Sequence, residues 1–300
     1  MWSSSYDLAL VALGFEQRSS HMAGAFQVPP RTRIAVPFAK DRVHSYDANR
    51  LKLLNLEYTI KEVDDNDFVS WWASILEDLA KTCDTDQLRI CIDISSLTRR
   101  RLAFIIEGLS RANVECSLLV DFSYTVAEFS PPPPASESAT ICGPVSSYLA
   151  GWPEDPDKPV AAIIGLGYEY EKAVGALEYL EPTTRVLVKP ISRDERFDEE
   201  VLKANSEILT SGRRSEIFSY PIGSPTQCIE LLDALSFRLR DDHRVVAIPF
   251  GPKMFALCSM LIACKYYPEI GIWRISADSE RDARDQTAST QTVGLQVRFG

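Results

Sequence analysis

Strand-length apolar runs alternate with helical stripes along most of the chain. Leu8 to Leu13, Arg33 to Phe38 and Tyr58 to Val63 are short runs whose β-branched content favours strands. Phe68, Trp71, Trp72, Ile75, Leu76 and Leu79 then recur three and four apart, which predicts an amphipathic helix. Leu88 to Ile94 predicts a strand buried on both faces, Leu102 to Leu109 the apolar stripe of a helix, and Cys116 to Phe122 a further strand. Strand and helix in regular alternation predict a mostly parallel sheet with helices on both faces.

The pattern stops at about residue 129. A proline run (Pro131, Pro132, Pro133, Pro134) and a Ser-, Gly- and acid-rich stretch lead to Lys158. Proline neither donates to a ladder nor continues a helix, so this stretch reads as a stiff connector. The alternation then restarts. Val160 to Ile164, Arg185 to Val188, Glu216 to Pro221, Val245 to Phe250 and Ile270 to Ser276 predict strands. Cys228, Leu231, Leu232 and Leu235 mark one helix, Met254 to Ile262 another, and Val293 to Phe299 a short final strand. Ser224-Pro225-Thr226-Gln227 predicts the start of the Cys228 helix, with a hydroxyl cap, proline at the first position and Gln reaching back.

The second pass repeats the first. Gly14-Phe15-Glu16 returns as Gly167-Tyr168-Glu169, each after an apolar run and before an Ala-rich run read as helical, and Arg99 is answered by Lys253 at a similar distance downstream. These observations predict an α/β protein of two tandem Rossmann-like, doubly wound parallel-sheet domains related by pseudo-two-fold symmetry. The expected divisions are an N-terminal domain over residues 1–128, a Pro/Ser-rich linker over 129–158 and a C-terminal domain over 159–300. The elements of the two halves are expected to correspond one for one.

With 300 residues, 45% of them hydrophobic and 25% charged, the chain can bury a sizeable core. Its net charge of −10 argues against wrapping duplex nucleic acid or lying on an anionic membrane. The seven cysteines lack any Cys-x-x-Cys pair and mostly sit in apolar runs, which predicts reduced, buried thiols. The start lacks a basic segment followed by an apolar stretch, and no run approaches the ~18 apolar residues of a membrane span. The reading is a soluble, cytoplasmic protein.

In doubly wound sheets, ligands sit beyond the carboxyl ends of the strands, where helix N-termini favour anions. Three loops in each half fall there, and two of them carry candidate residues. The first is Gly14 to Ser20, where Arg18 and two serines are candidate phosphate or hydroxyl contacts, with Gly165 to Lys172 opposite. The second is Asp93 to Arg101, containing Ser95, Ser96, Thr98 and Arg99, and its counterpart is Ile248 to Met254, containing Gly251 and Lys253. A cation in a helix's first turn opposes the helix dipole, so Arg99, Arg100 and Arg101 together invite an anionic partner. Tyr124 and Tyr168 are candidates to stack on a base. Glu16 and Asp121 are candidate acids or bases, and Asp64-Asp65-Asn66-Asp67 reads as helix capping. His21, His44 and His243 lack ligand spacing, so no metal is expected, and the absence of a Gly-x-Ser-x-Gly elbow or a full P-loop leaves no cofactor implied.

A late strand followed by a Ser/Thr/Gly-rich turn, then Arg or Lys, then an apolar helix resembles the CARF family, sensors of cyclic oligonucleotides in prokaryotic CRISPR-linked antiviral defence. Two such domains in one chain look like the SAVED arrangement of related antiphage systems. The residues that carry the resemblance are Ser95, Ser96, Thr98 and Arg99 in one half and Gly251, Lys253 and Met254 in the other. The first turn has no glycine, and the second has Pro252 in place of a hydroxyl. The resemblance implies a nucleotide or short oligonucleotide ligand, and the paired cation-bearing turns predict one composite crevice that binds it through Gly14, Arg18, Ser95, Ser96, Thr98, Arg99, Gly167, Tyr168, Gly251 and Lys253. Two alternatives accompany it. One is a nuclease-like or glycosidic-bond-cleaving enzyme that degrades the signal at the same place through Glu16 or Asp121. The other is a non-catalytic subunit serving an effector encoded on a separate chain.

Overall fold

The computed structural model describes residues 5–38, 42–83, 85–132, 141–152, 154–210, 215–276 and 284–300. Pro133 and Pro134 of the proline run lie outside them. Backbone contacts divide the chain into two compact units, Met1–Glu128 with Arg281–Gly300, and Phe129–Glu280.

The first unit contains strands β1 (Leu8–Leu13), β2 (Thr32–Pro37), β3 (Thr59–Ile60), β4 (Gln87–Asp93) and β5 (Ser117–Ala127). Its helices are α1 (Tyr46–Asn55), α2 (Phe68–Lys81) and α3 (Arg99–Arg111). The second unit contains β6 (Ile141–Pro144), β7 (Val160–Gly165), β8 (Thr184–Ile191), β9 (Glu216–Pro221), β10 (Arg244–Pro249) and β11 (Ile270–Ser276). Its helices are α4 (Tyr170–Leu180), α5 (Glu195–Ala204), α6 (Ser206–Thr210), α7 (Pro225–Arg240) and α8 (Lys253–Lys265). The last strand, β12 (Ala288–Phe299), returns to the first unit.

Each unit holds a six-stranded sheet, ordered β12-β5-β4-β1-β2-β3 in the first and β6-β11-β10-β7-β8-β9 in the second. Five strands of each are parallel, and the sixth, β12 or β6, is an antiparallel edge. The fold is therefore two doubly wound α/β units with Rossmann-like strand order. Buried apolar side chains explain the order. Ala9, Val11, Leu13, Ala35, Tyr46, Leu53 and Tyr58 form one core of the first unit, and Ala162, Ile164, Leu187, Ile248 and Phe250 belong to the core of the second. Among the described residues, no helix is long and apolar enough to cross a membrane.

Several expectations need correction. The carboxyl-terminal strand, expected with the second domain, pairs instead with β5 from Ala288↔Ala127 to Phe299↔Leu118. The free edge of β5 needed a partner, and the tail supplies the missing N–H and C=O groups. Part of the expected linker is structured too: Ile141–Pro144 pairs with β11. The helices of the two halves also do not match one for one. The run after Gly14 forms two short 3₁₀ turns (Gln17–Ser20 and Met22–Gly24), whereas the run after Gly167 forms α4. Ser224 makes no side-chain cap bond, although Pro225 does open α7. Of the cysteines, Cys91, Cys228 and Cys258 are buried, while Cys142 is exposed.

Candidate functional site

Strands β1 and β4 are neighbours, and so are β7 and β10. In both units the strand order reverses here: β1 and β7 lead on to β2 and β8 in one direction along the sheet, and β4 and β10 lead on to β5 and β11 in the other. This is the switch point at which doubly wound sheets open a crevice. The loops at that point are the Gly14 and Ser95 turns in the first unit, and the Gly167 and Gly251 turns in the second.

In the first unit, Gly14 lies so close to the neighbouring turn that a Cβ placed on it would sit 3.2 Å from Ser96 Cβ and 3.2 Å from Phe38. Ser19 fixes the turn from within: its hydroxyl accepts from the Gly14 amide at 2.9 Å and donates to Ala12 O at 2.6 Å. Asn49, buried in α1, donates its side-chain amide to Gly14 O at 3.0 Å and Glu16 O at 2.8 Å, and accepts from Ser20 Oγ at 2.8 Å.

Arg18 is only 7% exposed and turns inward. It donates to Glu16 Oε2 at 2.5 Å and to Thr125 O at 3.0 Å, with its guanidinium 5.8 Å from the Tyr124 ring centre. Burial works against its charge, but Tyr124 and Glu16 outweigh that penalty and hold its pKa above the ordinary arginine value.

The Asp93 turn is equally well tied. Asp93 Oδ1 accepts from the Ser95 amide at 2.9 Å and from Ser95 Oγ at 2.5 Å, and that hydroxyl accepts from the Thr125 amide at 2.8 Å. Ser96 Oγ lies 3.5 Å from Glu16 Oε2, and Thr98 caps α3 by accepting from the Arg101 amide at 3.1 Å. Ser95 and Thr98 thus shape the turn. Arg99, half-buried, occupies the first position of α3.

The expected trio of anion-seeking arginines divides. Arg101 is buried and bonds Asp65 at 3.0 Å, Pro37 O at 2.5 Å and Val63 O at 3.2 Å, while Arg100 lies 3.6 Å from the same Asp65 carboxylate. Asp65 is therefore their internal counter-ion, not a helix cap. At the next helix start, Asp67 makes no side-chain cap bond.

Asp121 lies lower in the sheet, opposite Cys91 in the register of β4 and β5. Both of its oxygens are engaged, Oδ2 by the Tyr6 hydroxyl at 2.7 Å and Oδ1 by Gln296 at 2.8 Å. Burial, followed by the bond to Asp121, pushes the Tyr6 phenol far above its usual range. Glu16 is likewise paired with Arg18.

The second unit repeats the contact in backbone form. A Cβ on Gly167 would lie 2.7 Å from Gly251 N and Cα, and Gly251 itself adopts a φ of 70°, the left-handed region that suits glycine. Lys253 takes the first position of α8, as Arg99 does in α3. The Asn49 bond is repeated as well: the Asn205 side-chain amide donates to Gly167 O at 2.7 Å and to Val201 O at 2.8 Å. Tyr168 stacks on Phe197 at 6.5 Å between ring centres, and Phe197 meets Phe129 edge-on at 5.2 Å. Neither asparagine was among the residues expected from sequence. Their only signal is the Ala-Asn dipeptide shared by 48–49 and 204–205.

Among the described residues, no cluster of His, Cys, Asp and Glu could hold a metal ion.

Fold and site together define a protein of two doubly wound α/β units, each with a glycine turn set against a cation-bearing helix start. No family model matches the chain, and no curated protein matches it. Among solved structures, the chain is similar to a Type III CRISPR defence DNA nuclease activated by cyclic oligoadenylate, with 8% sequence identity and a TM-score of 0.46. The alignment covers 87% of this chain and 64% of that one, so the chain spans less than two thirds of that nuclease's length.

Proposed function

We propose that the protein binds the phosphate of a nucleotide or short oligonucleotide beyond the carboxyl ends of its strands. Arg99 and Lys253 would be the cationic contacts, and the Gly14 and Gly167 turns would supply the adjoining walls. The observation that carries this reading is the repeated geometry. In both units the glycine of the Gly-aromatic-Glu triplet packs within van der Waals range of the turn that opens the helix bearing the cation. A helix start offers backbone N–H groups to an anion, a cation beside it adds charge, and close backbone approach is what a phosphate cradle requires.

A role as sensor or accessory protein in prokaryotic antiviral defence, acting with an effector on a separate chain, rests on the resemblance of the Ser95–Arg99 and Gly251–Met254 turns to those of the CARF family. The enzymatic alternative draws no support from its nominated carboxylates, since Glu16 and Asp121 are both engaged internally.

The test is binding of fluorescent linear and cyclic tetra-adenylates to the wild type and to Arg99→Ala and Lys253→Ala. A lost charge-assisted contact weakens binding by about tenfold or more. Affinities unchanged in both variants would overturn the assignment.

A further inference from the structure

The last segment of the first unit folds back over the Gly14 turn before it enters β12. Asp285 places its carboxylate on two donors there, the Gln17 amide at 2.6 Å and the Ser45 hydroxyl at 2.5 Å. The next residue, Gln286, accepts from the Arg18 amide at 3.1 Å, and Thr287 O accepts from the Glu128 amide at 2.9 Å, which joins the segment to the end of β5. Ser45 is itself anchored to the turn, because its amide donates to Phe15 O at 3.1 Å. Residues 285–287 therefore strap the backbone of Gln17 and Arg18 while the Arg18 guanidinium points inward to Glu16 and Thr125 O.

We propose that this strap is a latch: Asp285 holds the Arg18 turn closed, and an anion reaching for the Arg18 guanidinium must first displace it. The inference rests on the proposed phosphate binding at Arg99 and adds Arg18 to it: the Gly14 turn lies against Ser96, so the Arg18 guanidinium would join the site once its turn opens. Two physical effects point the same way. The Asp285 carboxylate repels an incoming phosphate at short range and occupies donors beside the candidate site. In addition, the strap's bonds favour the closed turn, and a ligand that binds only the open turn has its apparent affinity reduced by the open fraction. The glycine turn of the second unit, opposite Gly251, has no counterpart of this strap among the described residues.

The experiment compares wild type, Asp285→Ala and Ser45→Ala in two readouts. One is hydrogen exchange at the Gln17 and Arg18 amides without ligand, and the other is affinity for linear and cyclic tetra-adenylate. Asp285→Ala is expected to speed exchange at both amides and to tighten binding, each by roughly tenfold, with Ser45→Ala intermediate because one of the two carboxylate bonds remains. If the wild type binds the probes but Asp285→Ala leaves exchange or affinity unchanged, the latch is wrong and the binding reading survives. If neither the wild type nor Asp285→Ala binds any probe, the binding reading fails and the latch falls with it.

Discussion

Asn49 and Asn205 do the same work in the two units, but with unequal satisfaction. Each donates to the carbonyl of the triplet glycine. Asn49 also has its oxygen engaged by Ser20, whereas Asn205 Oδ1 is buried without a hydrogen-bond partner among the described residues. A buried acceptor left unmade costs ~1–3 kcal/mol, and a made bond contributes ~0.5–1.5. Asn49→Ala is therefore expected to destabilise the first unit by about 2–3 kcal/mol, because it strands two carbonyls and a hydroxyl. Asn205→Ala should cost its own unit less, since it removes an acceptor that was already unsatisfied. Hydrogen exchange of β1 and β7 amides in rising urea checks both; equal losses, or a larger loss for Asn205→Ala, would contradict the argument. Neither residue was legible beforehand. A polar residue in or beside a helix reads as solvated, and only the packed turn shows that it is buried. The same holds for Arg18 and Ser95, whose side-chain types are right for a ligand but whose bonds point inward.

At the scale of the element, α2 and α3 meet where Trp72 lies under Gly108. Trp72 is fully buried and donates its indole N–H to Ile105 O at 3.2 Å, and a Cβ on Gly108 would run into its ring. Alanine gains ~1 kcal/mol of helix propensity over glycine, but overpacking a fixed ring costs ~1–3 kcal/mol. Gly108→Ala is thus expected to lower stability by about 1 kcal/mol, the middle of the difference between the two terms. Gly175→Ala provides the contrast: it lies exposed in α4 with nothing within 4 Å of a new Cβ, so it should raise stability by about 0.5–1 kcal/mol. Thermal melts of the two variants decide the matter, and shifts of the same sign would refute it. The α2 and α3 stripes were plain in the sequence, as were nearly all the parallel strands. Helix α1 was not, because the buried face it shows is only Tyr46, Asn49 and Leu53, and one of these is polar. Strand β6 was hidden in a proline-rich context, and its four residues become a strand only by pairing with β11.

At the scale of the molecule, the first unit is discontinuous in sequence, since its sheet is completed by the last strand of the chain. Removing residues 288–300 would expose the β5 edge over nine register pairs from Ala127 to Leu118 and strip Gln296 from the buried Asp121. Unpaired backbone and an under-satisfied buried carboxylate both oppose folding. The expected outcome is loss of exchange protection across β4 and β5 while β7 and β10 keep theirs; protection retained in β5 would show that the edge strand is dispensable. By itself, the sequence determined the alternation of strand and helix, the two parallel sheets and the repeat of a glycine turn paired with a cation downstream. These are local matters of periodicity and turn chemistry, which short segments carry on their own. Tertiary structure alone decided which edge β12 would cover, that Arg100 and Arg101 answer Asp65, that Arg18 is folded inward, and that Asp285 lies across its turn. Each of these is a bond between groups far apart in the chain, and only the packed fold brings such partners within reach.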